Sequence, residues 1–261
     1  MALTMKSFGA EYVVYEDSGF LTESVTRIYP LMDKVLFLVG MGPWNGDRDP
    51  ITVAKTLATI QGIPDPDHKF TIICKWWATE EDQRNEGLQV LRSQGCDWCM
   101  TVDDDELYNR EELHQAMEVI STWECTNGHV SAWLVSHLIY WKDRDTVIRE
   151  LTPAMPVFLH TREHDAYFSQ ARCFGLRQGV YMVMPPHQLV MHHMSYVRSD
   201  EQMQRKMSSF SHASETASGW YDHIWRHWRP GMRNLHPNDS SPEAFSQAIP
   251  VSEVPWKMEP L

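Results

Sequence analysis

The sequence predicts an α/β protein with a doubly wound, mixed but mostly parallel sheet, extended on its C-terminal side by antiparallel strands and helices. Three observations predict it. Strand and helix signals alternate over residues 10–120, the strands recur roughly thirty residues apart, as βαβ units require, and "DKVLFLVG" is an unbroken apolar run suited to burial on both faces.

Each element follows in order. "AEYVVYE" is β-branched and aromatic, and "DSG" stops it. "FLTESVTRIYPL" has helical spacing, with Phe20, Leu21, Val25, Ile28 and Leu31 apolar. After "DKVLFLVG" comes a loop rich in Gly and Pro, "MGPWNGDRDP", then a helix over "ITVAKTLATIQGI" that ends at Gly62 with Pro64 and Pro66 beyond. "KFTIICKWW" is the third strand. The third helix, "TEEDQRNEGLQVLRSQG", starts at an N-cap of Thr79 with Asp82 three residues on, and Gly95 ends it. "DWCMTV" is the fourth strand, and "NREELHQAMEVI" is the helix after it. Beyond residue 120, "HVSAWLVSHLIYWKD", "MPVFLHTRE" and "GVYMVMPPHQLVMHHMSYVRS" read as strands separated by charged turns, hence as antiparallel additions. "SDEQMQRKMSSFSHASE", capped by Ser199 or Asp200, and "GWYDHIWRHWRPG" read as helices. Trp220, Ile224 and Trp228 in the latter fall on one helical face that packs on the core. Residues 236–261, with five prolines, read as an irregular tail.

Composition narrows the classes. The 261 residues are 43% hydrophobic and 22% charged, an ordinary globular balance. No apolar run approaches the ~18 residues of a spanning helix, and the N-terminus lacks a signal-peptide core, so the expectation is a cytoplasmic protein. A formal charge of −12 argues against nucleic-acid binding over the whole surface. Five cysteines, at 74, 96, 99, 125 and 173, fit a reduced compartment, and Cys96 and Cys99 fit a buried strand rather than a zinc or redox pair.

The fourth strand runs straight into Asp103, Asp104, Asp105 and Glu106. In a doubly wound sheet the carboxyl end of a strand is where ligands bind. Oxygen ligands there suit Mg2+ or Mn2+. In extended backbone Asp103 and Asp105 point to the same side and Asp104 to the other. A solvated turn at the head of the next helix is the competing reading. The stretch Arg84, Asn85, Gly87, Gly95, Asp97, Trp98, Asp103, Asp105, Glu106 resembles the GT-A glycosyltransferases, especially those of family 2, as does "YVVYEDSGFLTESV".

That resemblance implies a GT-A-like, Rossmann-type fold over a single domain of residues 1–261. Residues 10–120 would form the nucleotide-sugar-binding half and residues 121–235 the acceptor side. It implies that Asp103 and Asp105 hold the metal and the donor diphosphate, with Asp105 also catalytic and Asp104 beside the donor. Arg84 would reach the nucleotide-sugar, and Glu16 the base. Where the family has an acid after the second strand this chain has "LVGMGPWNG", so Gly40 and Trp44 would serve the base by backbone and stacking. Of His192 and His193, adjacent in a strand, one at most can complete the metal sphere, and His193 is favoured over His192 and His187. Trp76 and Trp77 end the third strand, where one can face the cleft and stack on base or sugar; Trp77 is the donor-site candidate. An inverting transferase needs a base, and Glu150, Glu163 and Asp165 lie in the region, with Glu163 and Asp165 preferred. Arg198, Arg205 and Lys206 make the C-terminal third locally basic, which suits a diphosphate or an anionic acceptor.

The expected function is therefore metal-dependent transfer of a hexosyl or pentosyl group from a nucleoside diphosphate-sugar, UDP most commonly. The acceptor is left open by the sequence, with a glycan or a modified nucleic-acid base among the candidates. The rivals are a metal-dependent nucleotide-sugar hydrolase or nucleotidyltransferase, and a non-catalytic nucleotide- or glycan-binding module. "EDSGF", with one Gly and no basic residue, speaks against the nucleotidyltransferase.

Overall fold

The computed structural model describes residues 6–44, 46–127, 129–162, 165–209, 215–238 and 240–261, without the side chains of residues 124–127, 208 and 209. The N-terminal half alternates as expected: β1 (Phe8–Val14), α1 (Leu21–Ile28), β2 (Lys34–Gly40), α2 (Pro50–Gly62), β3 (Phe70–Lys75), α3 (Glu80–Ser93) and β4 (Trp98–Asp103). These four strands are parallel and stand in the order β3-β2-β1-β4. The period-2 pattern of the strands sends one residue set to each face. Tyr12, Val35, Phe37 and Val102 pack under α1 and α2 with Leu21, Val25 and Ile60. Val13, Leu36, Leu38 and Cys99 pack with Leu88 and Leu91 of α3. Helices thus cover both faces, which is why β1, β2 and β4 are almost wholly buried.

The helix ends are where the residues place them. Asp49 caps α2 by accepting from the N–H groups of Ile51 and Thr52, with Pro50 at the first position. Thr79 caps α3 by accepting from the Asp82 N–H, and Gly95 closes it in the left-handed region at φ +86°. Cys96 and Cys99 are free thiols, both buried around the start of β4.

The second half departs from expectation in two ways. After β5 (Glu106–Leu107) and α4 (Arg110–Asn127) the strands are β6 (Val130–Trp141), β7 (Thr146–Ile148), β8 (Thr152–His160), β9 (Ala166–Gln170), β10 (Cys173–Leu176), β11 (Val180–Val183) and β12 (Met191–Tyr196). β8 is antiparallel to both β4 and β6, as anticipated, but β11 and β12 pair parallel with β6. The sequence shows alternation, not direction. The last residues are not simply irregular either. β13 (Ala248–Pro250) adds antiparallel to β7, so eleven of the described strands join one sheet, while β9 and β10 form a separate hairpin.

α5 (Asp200–Ser209) follows β12, with Ser199 Oγ accepting from the Gln202 N–H as its cap. The stretch expected as an α-helix makes a π-turn at Tyr221–Trp225 instead. The buried pair there is Trp220 and Trp225, five apart, around Trp141 and Tyr196, while Ile224 and Trp228 are only partly covered. The wider π-turn moves the inward face from i, i+4 to i, i+5. No helix among the described residues is long and apolar enough to cross a membrane.

Candidate active site

The strand order reverses at β1, with β2 and β3 to one side of it and β4 to the other. Such a switch point opens a crevice at the carboxyl ends of the strands. A cavity of about 790 Å³ lies there. Tyr15 and Glu16 beyond β1 and Asp103, Asp104 and Asp105 at the end of β4 form one side of it. Leu134, Ala154, Met155, Pro156, Phe174 and Met207, drawn from β6, β8, β10 and α5, supply an apolar side.

The four acids are not strung along an extended strand. β4 ends at Asp103, Asp104 and Asp105 make a turn, and Glu106 opens β5 opposite His193 of β12. The turn carries the carboxylates to donors on other segments, Arg172 being shared by Asp103 and Glu106, which relieves the repulsion that adjacent like charges in one row would carry. Asp103 Oδ1 accepts from Arg84 Nη2 at 2.7 Å and its Oδ2 from Arg172 Nη1 at 3.2 Å. Arg172 also pairs with the fully buried Glu106, its Nη2 donating to Oε2 at 3.0 Å. Asp104 accepts from the backbone N–H of Ser18. Asp105 Oδ1 lies 3.1 Å from His193 Nε2, and its Oδ2 accepts from Arg198 Nη2 at 2.7 Å with Lys206 Nζ 3.5 Å away.

These partners fix the charge states. Burial pushes the Asp103 carboxyl up, but Arg84 and Arg172 together hold it below the ordinary carboxylate range. Burial acts on Asp105 in the same sense and is outweighed by Lys206, His193 and Arg198, which hold it well below. Asp104, buried and next to Asp105, is pushed up to about 7, and burial raises Glu106 against the pull of Arg172. Two ionised carboxylates, Asp103 and Asp105, therefore face the cavity.

Glu16 is on the wall and pairs with Arg205 at 3.0 Å. Arg84 is also there, but its nitrogens are committed to Glu80, Thr101 and Asp103. It positions Asp103 more than it offers a free cation. Trp44 lines the cavity and donates to Gln83 Oε1 at 2.9 Å.

Three expectations are corrected. Gly40 ends β2 against Gly42 and Tyr15 and is not on the cavity wall. Trp77 is core: only 6% exposed, it packs with Leu36 and Leu88 and donates to Glu86. Trp76 is the exposed one of the pair, in a shallow cleft apart from the acids. Asp165 lies near His160, which pairs with Trp98 at the start of β4. That is five strand residues, roughly 16 Å, from Asp103, so Asp165 cannot serve as base there.

Glu163 lies outside the described residues. Glu150 is bonded to Ser246 away from the cavity. His192 is buried against Tyr140, opposite to His193, as the alternation of a strand requires. His187, His223 and His227 are exposed. Arg172 escaped the sequence reading, because nothing in "SQARCFG" marks a hairpin tip. The turn is visible only in its backbone, where Ala171 takes the left-handed φ of +45°.

Asp103, Asp105 and His193 all line the cavity and are the residues that could hold a divalent cation there. Two carboxylates and an imidazole match the preference of Mn2+, and the Asp103 side chain is 31% exposed to the cavity. A carboxylate oxygen has two lone pairs, so Asp103 can accept from arginine and still offer one to a metal.

No protein-family model matches the chain, and none of the curated proteins does. Among solved structures it is similar to glucosyl-3-phosphoglycerate synthase from Mycobacterium tuberculosis. One crystal structure of that enzyme holds Mn2+, UDP and phosphoglyceric acid, and another holds Mn2+, UDP and glucosyl-3-phosphoglycerate. In both the identity is 11%, the TM-score 0.33 and the coverage 51% of this chain, against 43% and 44% of that chain. The matched part is thus less than half the length of the synthase.

Proposed function

We propose that this protein is a metal-dependent glycosyltransferase that moves a sugar from a nucleoside diphosphate donor, of UDP type, to an acceptor held against the apolar wall. The observation that carries the reading is the meeting of Asp103 and Asp105 with Arg198 and Lys206 at the switch point, in one cavity that also has an apolar side. A diphosphate leaving group needs positive charge placed in advance. Arg198 and Lys206, held in position by Asp105, supply it. Asp103 is oriented by Arg84 and Arg172, which lock its carboxylate toward the cavity. Tyr15, tied to Asp49 at 3.0 Å, and Trp44 offer aromatic surface to the base, and Glu16 a carboxylate to base or ribose.

Mn2+ or Mg2+, held by Asp103 and Asp105 with His193, would supply Lewis-acid stabilisation of the leaving diphosphate. The acceptor class is open, with a glycan or a modified nucleic-acid base as candidates, and Glu163 is the candidate to deprotonate its hydroxyl.

The test is thermal unfolding with UDP, GDP, CDP and their sugars, with and without Mn2+, followed by product analysis. A ligand at a hundred times its Kd adds about 2.7 kcal/mol of stability. One diphosphate should stabilise the wild type with Mn2+ present and fail to stabilise Asp103→Asn. Folded protein that responds to none would end the transferase reading. Release of free sugar at an undiminished rate without any acceptor would mark a hydrolase instead.

A further inference from the structure

Away from the cavity, His129, His160 and Asp165 converge at the amino-terminal end of β4. The potential ligand atoms of all three lie within 4.8 Å of one another, and among the described residues this is the group of His, Cys, Asp and Glu side chains that does so. Asp165 Oδ2 stands 2.8 Å from His129 Nε2 and 3.5 Å from His160 Nδ1. In a tetrahedral zinc site with bonds of roughly 2.0–2.1 Å, ligand atoms stand about 3.4 Å apart, so little movement separates this cluster from a filled one.

Its surroundings point the same way. Asp165 is only 3% exposed, and Oδ2 makes no well-aligned hydrogen bond although it faces two imidazoles. Among the described residues the groups within ion-pair reach of it are those two rings. A buried carboxylate needs a positive partner, and a cation held between the three groups would supply one. His160 is buried against Trp98, whereas the His129 side chain is 29% exposed and leaves a way in from solvent. The ring nitrogens also have neighbours: the Arg162 N–H donates to His160 Nδ1 at 3.1 Å, and Ser131 Oγ stands 3.2 Å from His129 Nε2.

We propose that His129, His160 and Asp165 form a zinc site, distinct from the metal expected at Asp103, with water completing the coordination. Two imidazoles and a carboxylate are a common zinc donor set. Its role is structural. His129 precedes β6, His160 ends β8 and Asp165 leads into β9, so one ion ties three chain segments together. It fixes the base of the β9–β10 hairpin, whose tip carries Arg172 to Asp103 and Glu106.

The test strips the full chain with a chelator and titrates it with Zn2+ against a chromophoric competitor, in wild type, His129→Gln, Asp165→Asn and Asp103→Asn. The expected result is one tight equivalent in wild type and in Asp103→Asn. In His129→Gln and Asp165→Asn it should weaken by more than about a hundredfold, beyond the cost of losing a residue that merely orients a ligand. Co2+ substituted into the wild type should give the absorption of a tetrahedral site that Asp103→Asn retains. His129→Gln, at the exposed ligand, guards against misfolding of Asp165→Asn, and circular dichroism of both checks it. Absence of Zn2+ uptake, or equal uptake in wild type and folded His129→Gln, would overturn the proposal. Loss of the tight equivalent in Asp103→Asn alone would place the zinc at the cavity and overturn it equally.

Discussion

Glu11 sits in β1 directly under α3, fully buried, with neither carboxyl oxygen in a well-formed hydrogen bond. Burial, offset in part by Arg84, pushes its pKa to about 7 from an ordinary 4.5. The folded protein therefore holds a proton there that the unfolded chain has lost, and stability falls as pH rises from 4.5 through about 7. That interval corresponds to about 3 kcal/mol. Glu11→Gln should raise the melting temperature at pH 8 and leave it nearly unchanged at pH 4.5, as a pair of thermal scans would show. Arg172 gives a second expectation. Removing it strands buried Glu106, so Arg172→Met should cost about 3–5 kcal/mol in urea unfolding, and adding Glu106→Gln should recover much of that loss. Neither residue is legible from sequence alone: Glu11 reads as one polar residue in an otherwise apolar strand, and Arg172 as a surface arginine.

At the level of elements, α3 is the most constrained piece. A Cβ on Gly87 would stand 2.1 Å from Glu11 Oε2 and 2.8 Å from Leu38 Cδ1, so the helix rests on the sheet at this glycine. Gly87→Ala should destabilise by about 1–3 kcal/mol despite the better helix propensity of alanine; a stabilised variant would contradict this close packing. The ends of this helix are legible in the sequence, Thr79 at its start and Gly95 past its end, and the first four strands carry their own stop signals. Past residue 120 less is legible, because β6 pairs parallel with β11 and β12 and antiparallel with β7 and β8, and no local pattern tells the two senses apart. The π-turn at Tyr221–Trp225 is hidden for a similar reason, since Ile224 at i+4 and Trp225 at i+5 from Trp220 both satisfy a core-facing pattern. The acids were legible as a site because they end a strand, but their turn and their partners come from segments about 20 to 100 residues away in sequence.

On the scale of the whole molecule, the two halves share one sheet and the chain's last segment helps hold it. Ile249 and Val254 are buried with Phe20, Leu107 and Val147, Trp256 donates to the Pro186 carbonyl, and Asn109 bonds the backbone of Lys257 and Glu259. Removing residues 246–261 should therefore cost at least about 3–6 kcal/mol, from two side chains at roughly 1.5–3 kcal/mol each. An unchanged urea midpoint for the truncated chain would show the tail to be dispensable. The pairing of Asp105 with Arg198 and Lys206 has a consequence at this scale too. On the proposed function, the diphosphate competes with Asp105 for those two cations, and in drawing them away it frees a carboxylate for the metal. Donor and metal are then thermodynamically linked ligands, each preparing the other's site. Linkage is reciprocal, so the factor by which Mn2+ tightens UDP, measured calorimetrically, must equal the factor by which UDP tightens Mn2+, and in Asp105→Asn both factors should fall toward one together.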